Sequence, residues 1–122
     1  MRKLGLIGGI SWISTRAYYE KINRRVQHLG QAVASAPMLI ESLDYAPIHE
    51  AKQEDDWDRI SGTLIDAARG LERSGAEGLA MASNLMHRQY DEVAAAVDIP
   101  VLHIADAVGT HLSGKGVENA AL

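Results

Sequence analysis

Four short apolar runs alternate with longer stretches in which apolar residues return every three or four positions. Residues 3–8 (KLGLIG) form an apolar run that ends in glycine and predict a central strand. A helix follows to about Leu29, opened by Ser14 or Thr15, with Tyr18, Ile22, Val26 and Leu29 along one stripe and Gly30 as its stop. Pro37 can only begin a strand, and residues 38–43 predict the second one. Residues 44–54, which contain Pro47, read as a long loop. Asp55 or Asp56 then caps a strongly amphipathic helix, with Trp57, Ile60, Leu64, Ala68 and Leu71 on its stripe and Gly75 beyond its end. Residues 77–81 predict the third strand. Residues 85–97 predict a helix, with Met86, Tyr90, Val93 and Val97 on its buried side. Pro100 begins a fourth strand over 101–104, and a last helix is expected from Ala105 to about Leu112.

This β-α alternation predicts an α/β fold: a three-layer sandwich, its four-stranded parallel sheet covered by helices on both faces. Periodicity does not give strand order; analogy with flavodoxin-like folds gives 2-1-3-4. In such sheets ligands bind where strands end at their carboxyl edge. That points to two turns, Gly8-Gly9-Ile10-Ser11-Trp12 and Met81-Ala82-Ser83-Asn84-Leu85-Met86-His87.

Composition narrows the chemistry. The chain has 122 residues, 47% of them apolar and 23% charged, as expected of one globular domain with a real core. A net charge of -4 disfavours nucleic acid. No apolar run approaches the roughly 18 residues of a membrane span. The amino terminus lacks a signal-peptide core, so a cytoplasmic location is expected. There is no cysteine, which excludes disulfides, thiolate metal sites and any thiol nucleophile in this chain.

Each candidate group has a plain reading beside a functional one. Gly8-Gly9 permits a tight turn, or sets backbone N–H groups around an anion with Ser11. Neither a G-x-G-x-x-G nor a P-loop motif is present. Ser83 and Asn84 cap the following helix, or offer hydroxyl, amide and N–H groups to a ligand. Asp44 and Asp106 follow strands and serve as helix caps or as partners for an ammonium group. His87 and His103 both fall near the carboxyl edge; His28 sits at a helix end, as a dipole partner. The five histidines form no metal-binding pair by spacing, so no metal is expected, and a hydrolytic metal site at His87 and His103 is the weaker reading. Trp57 reads as core, whereas Trp12, beside the glycine turn, reads as a cover for a site.

The chain resembles the aspartate/glutamate racemase family, in particular its broad-specificity amino-acid racemases. The resemblance rests on Gly5-Leu6-Ile7-Gly8-Gly9-Ile10-Ser11-Trp12 with Ser14-Thr15, on Tyr18-Tyr19 and Ile22-Asn23, and on Ser42-Leu43-Asp44-Tyr45. It continues through the Trp57 helix start, Leu71-Glu72-Arg73-Ser74-Gly75-Ala76-Glu77-Gly78, Asn84-Leu85-Met86-His87 and Pro100-Val101-Leu102-His103-Ile104-Ala105-Asp106. It implies an isomerase that needs neither pyridoxal phosphate nor metal. Two facing α/β domains would each place a cysteine on one side of the substrate's Cα; one thiolate removes the α-proton and the other thiol returns a proton to the opposite face. The resemblance also implies a small amino acid or other carboxylate as ligand, held by Ser11, Ser83, Asn84 and Leu85; their places at the sheet edge make Trp12, Asp44, His87 and His103 candidates to line the site.

The sequence departs from the family pattern in three ways. The family has Cys-Thr-Asn-Thr-Met-His where this chain has Ala82-Ser83-Asn84-Leu85-Met86-His87, so Ala82 occupies the catalytic cysteine position. Ile13 stands where this branch usually has glutamate. The length is about half that of a family member, which divides the chain into residues 1–116 as the racemase-like domain and 117–122 as the start of a second. The expectation is therefore a racemase-family chain that is catalytically impaired. The alternative is a non-catalytic carboxylate-binding module that pairs as a homodimer through the face a second domain would cover.

Overall fold

The computed structural model describes residues 2–103. Three parallel strands, β1 (Leu4–Gly8), β2 (Met38–Ser42) and β3 (Gly78–Met81), form a sheet in the order β2-β1-β3. Residue Leu4 pairs with Met38 on one side and Gly78 on the other. The first three positions of the expected strand order are therefore present. Of the fourth strand expected over 101–104, the described residues show a single parallel bridge, Leu79 to Val101, and residue 104 lies outside them. The two bonds of the bridge run from the Leu79 N–H to the Pro100 carbonyl and from the Leu102 N–H to the Leu79 carbonyl, so the missing Pro100 N–H is not needed there. The helix expected over 105–112, Asp106, His111 and the division at 116/117 lie outside the described residues.

Helices cover both faces of the sheet, and two glycines of β1 show which helix lies where. A Cβ at Gly5 would meet side chains of Leu71, Ala76 and Leu79, whereas one at Gly8 would meet Thr15. Residues three apart on a strand point to opposite faces. So α3 (Trp57–Arg73) covers one face and α1 (Trp12–Leu29) the other. The covering is unequal. The main core joins Ile7, Leu79, Met81 and Val101 of the sheet to Ile48, Ile60, Leu64, Leu71, Met86 and Val93. Every stripe residue expected of α3 except the half-buried Trp57 is fully inside. Helix α1 buries only Thr15, and its stripe residue Leu29 is 71% exposed.

Residues 44–54 correct the expectation of a loop. They contain a helix, α2 (Tyr45–Gln53), whose N-cap Asp44 accepts the Ala46 N–H at 3.0 Å. Pro47 falls in its first turn, where backbone N–H groups have no partner within the helix and a missing donor costs nothing. Ile48 and Ala51, three apart, bury this helix against the core. The single helix expected over 85–97 is also corrected. Leu85–Gln89 form a 3₁₀ turn, and only Tyr90–Ala95 continue as helix α4.

Candidate active site

The three strands end together, and the pairing with β1 continues one residue past β2 and one past β3. The Leu43 N–H donates to the Gly8 carbonyl and the Ala82 N–H to the Ile7 carbonyl, each at 2.9 Å. The turns after β2, β1 and β3 are thereby set side by side at the carboxyl edge, with His103 two residues beyond the Val101 bridge. This register brings Asp44, Ser11, Ser83, Asn84 and His103 to one edge of the sheet.

The middle turn needs its glycine. Gly9 has φ +85°, and a Cβ there would land on the Leu43 carbonyl oxygen. That close approach is the plain reading of Gly8-Gly9, and it is what holds two turns together. Thr15 closes the loop from within α1: its Oγ1 accepts the Gly9 N–H at 2.9 Å and donates to the Ser11 carbonyl at 3.3 Å. The helix thus starts earlier than Ser14 or Thr15. Ser11 is the N-cap residue, is exposed, and makes no capping bond with its side chain. The first turn of this 18-residue helix contains no acid. A ligand anion beside Ser11 would meet an uncompensated helix N-terminus. Trp12 is 64% exposed and Ile13 58% exposed on that same first turn.

The turn after β3 is built differently. Ala82 is 1% exposed, Ser83 half-buried and Asn84 exposed. Asn84 has right-handed helical angles, φ -60° and ψ -41°, and its side chain makes no capping bond. Leu85 opens the 3₁₀ turn. The reading of Ser83 and Asn84 as caps of a long helix is therefore corrected, because the regular helix begins only at Tyr90. The exposed Asn84 amide remains available to a ligand.

His87 is turned inward. Its ring is buried and its Nδ1 lies 2.7 Å from the Ser83 carbonyl oxygen, so Nδ1 carries the hydrogen and Nε2 is the acceptor. Burial pushes its pKa below the usual histidine value; His103 adds to that, and the bond to Ser83 opposes it. The His103 ring packs edge-on against His87 at 5.2 Å and against Tyr90 at 4.7 Å. Tyr90 in turn donates its hydroxyl to the Val101 carbonyl at 2.7 Å. Among the described residues, no three His, Cys, Asp or Glu side chains come together in a way that could hold a metal. Asp44 is committed in part to capping α2. A cavity of about 290 Å³ between Arg2, Lys3, Glu77 and Pro100 lies at the opposite, amino-terminal edge of the sheet and touches none of these residues.

Two supporting residues were not singled out for the site from sequence. Gln89 and Tyr90 tie the 3₁₀ turn to α3 and to residue 101. The helical stripe predicts Tyr90 only as an apolar position; its hydroxyl is the signal in the sequence, since a tyrosine packed against the core must find a partner for it.

Comparison with known proteins adds to this geometry. The family profile for Asp/Glu/Hydantoin racemases matches residues 7–121. The chain belongs to that family. It is similar to the broad specificity amino-acid racemase RacX of Bacillus subtilis (strain 168), with 29% identity over 106 residues, covering 84% of this chain and 46% of that protein. Among solved structures, a Yersinia pestis protein assigned to the Asp/Glu racemases superposes with a TM-score of 0.91 at 38% identity. An aspartate racemase homologue from Pyrococcus horikoshii OT3 gives 0.88 at 32%. Each superposition covers 95% of this chain and 50% of the other. The chain therefore spans about half the length of the relatives it matches.

Within this racemase-family framework the carboxyl-edge turns carry exposed polar groups and no thiol. Ser11 and Asn84 are exposed polar groups at one edge. Ala82 offers a methyl group, which can neither take nor give a proton.

Proposed function

We propose that this racemase-family chain binds the carboxylate of a small amino acid between the turns over 9–11 and 82–84, and that it does not racemize the bound molecule. The observation that carries the reading is the pairing of an exposed Ser11 and Asn84, on adjacent strand ends, with a methyl group at position 82. Ser83 and Leu85 belong to the same binding turn, and Trp12, Asp44, His87 and His103 line its surroundings. The reaction that the family resemblance implies needs a base on one face of Cα and an acid on the other, without pyridoxal phosphate or metal. Ser83 is too weak a base unless a neighbour activates it, and the buried His87 uses Nδ1 on a backbone carbonyl. The setting is the cytoplasm, where free amino acids are the available ligands. Proton NMR of aspartate and glutamate in deuterated water tests the chemistry: the α-proton signal is expected to persist as in a protein-free control. Exchange clearly above that control overturns the inactive reading. Aspartate titrated into labelled protein is expected to move the Ser11 and Asn84 amide signals, and unmoved signals overturn the binding reading.

A second reading is favoured by the exposed Trp12 and Ile13 beside the site. Two copies would cover these apolar side chains by pairing through this face. Light scattering is expected to give a dimer mass that Trp12→Ser lowers toward a monomer. A clean monomer at high concentration sinks this idea.

A further inference from the structure

The binding turn is held at its start by the sheet and at its end by side chains. The Ala82 N–H is fixed on Ile7, but the backbone bond from the His87 N–H returns to Asn84, inside the turn itself. Met86 packs into the core, Tyr90 ties the far end to the Val101 carbonyl, and Arg88 and Gln89 fasten it to α3. The Arg88 guanidinium lies over the Trp57 ring at 4.0 Å, on the exposed side. Gln89 is 5% exposed; its amide nitrogen donates to the Ser61 hydroxyl and lies 3.4 Å from the Trp57 carbonyl oxygen. Ser61 is itself buried. The contact joins residues 28 apart in sequence.

A leucine and an alanine would fill this space without taking an amide and a hydroxyl out of water. Replacing both partners of a buried hydrogen bond by apolar groups of similar shape is nearly neutral for stability. What the polar pair adds is direction: the bond is satisfied in one rotation of the turn, whereas apolar contact tolerates several. Asn84 lies on the same turn, five residues before Gln89, so the rotation of the turn also sets the direction of its side chain. We infer that Gln89, bonded to Ser61 and the start of α3, is a positioning residue that orients the turn over 83–87 for its ligand. The inference rests on the carboxylate-binding reading above and names what aligns that site.

The test compares Ser61→Ala, Gln89→Leu and the double variant, with the full chain throughout. Gln89→Leu alone leaves the Ser61 hydroxyl without its donor and is expected to lower the unfolding midpoint. The double variant removes both polar groups and is expected to recover most of that loss. A merely structural role would leave the double variant like the wild type. A positioning role predicts instead that its amide signals over 83–87 shift or broaden without ligand, while those of β1 and α3 away from residue 61 hold. Its affinity for aspartate is then expected to fall about tenfold or more. Ser61→Ala, the milder change, should move the same signals by less and in the same direction. Unchanged 83–87 signals in Ser61→Ala and in the double variant overturn the inference. If wild-type protein shows no response to aspartate, the carboxylate reading falls, and the ligand-free signals still decide the role of Gln89.

Discussion

Position 82 is enclosed as well as unreactive. Ala82 is 1% exposed and its N–H is bonded to Ile7. A thiol placed there by Ala82→Cys would sit among buried apolar neighbours, Met81 and Met86 among them in the chain. Burial raises a thiol's pKa above its free value of about 8.5. The variant is expected to react with a disulfide reagent at least about tenfold more slowly than free cysteine at neutral pH, and at the ordinary rate once unfolded; stopped-flow labelling measures both. His87 gives a second prediction at this scale. Its pKa is lowered from 6.5 in the folded chain, so below 6.5 the unfolded chain takes up a proton that the folded one refuses. More protons bound in the unfolded state means that stability rises with pH. The contribution is fully present above 6.5 and is lost as pH falls toward the lowered value. Thermal unfolding between about pH 7.5 and 5.5 should show a falling midpoint, with a smaller fall in His87→Gln. Glutamine at 87 retains an N–H donor to offer the Ser83 carbonyl.

Helices α1 and α3 have similar stripes in sequence and different fates in the fold. Leu64 is fully buried within the core, whereas Leu29 is 71% exposed at the end of α1. Leu64→Ala is expected to cost about 2–5 kcal/mol and Leu29→Ala no more than about 0.5 kcal/mol, both read from urea unfolding. The α3 stripe was legible because Asp56 caps it and its apolar spacing is unbroken. Helix α2 was not legible because a proline inside a polar stretch marks a loop as readily as a helix start. Asp44 three residues before a proline is equally the start of a helix, and the buried pair Ile48 and Ala51 was the remaining signal. The helix expected over 85–97 had the right apolar stripe and the wrong pitch at its start. A stripe that marks burial does not distinguish a 3₁₀ turn from an α-helix over five residues.

At the scale of the molecule, the domain covers 95% of its own length on racemase-family structures that are twice as long. The β-α alternation, the glycine turn and the motif around Asn84 and His87 are local features, and they were enough to give an α/β fold with a parallel sheet, the family, and the two turns that meet at the carboxyl edge. These are set by short-range steric and capping preferences and by the period of the apolar positions. The tertiary structure decided the rest. It committed Asp44 to α2, turned His87 inward onto Ser83, enclosed Ala82, and set Val101 in a parallel bridge beside Leu79. Each of these depends on which distant segment a side chain or backbone group meets. That Gln89 meets Ser61, 28 residues away, is fixed by the packing of α3 against the sheet and not by any pattern in the residues around either one.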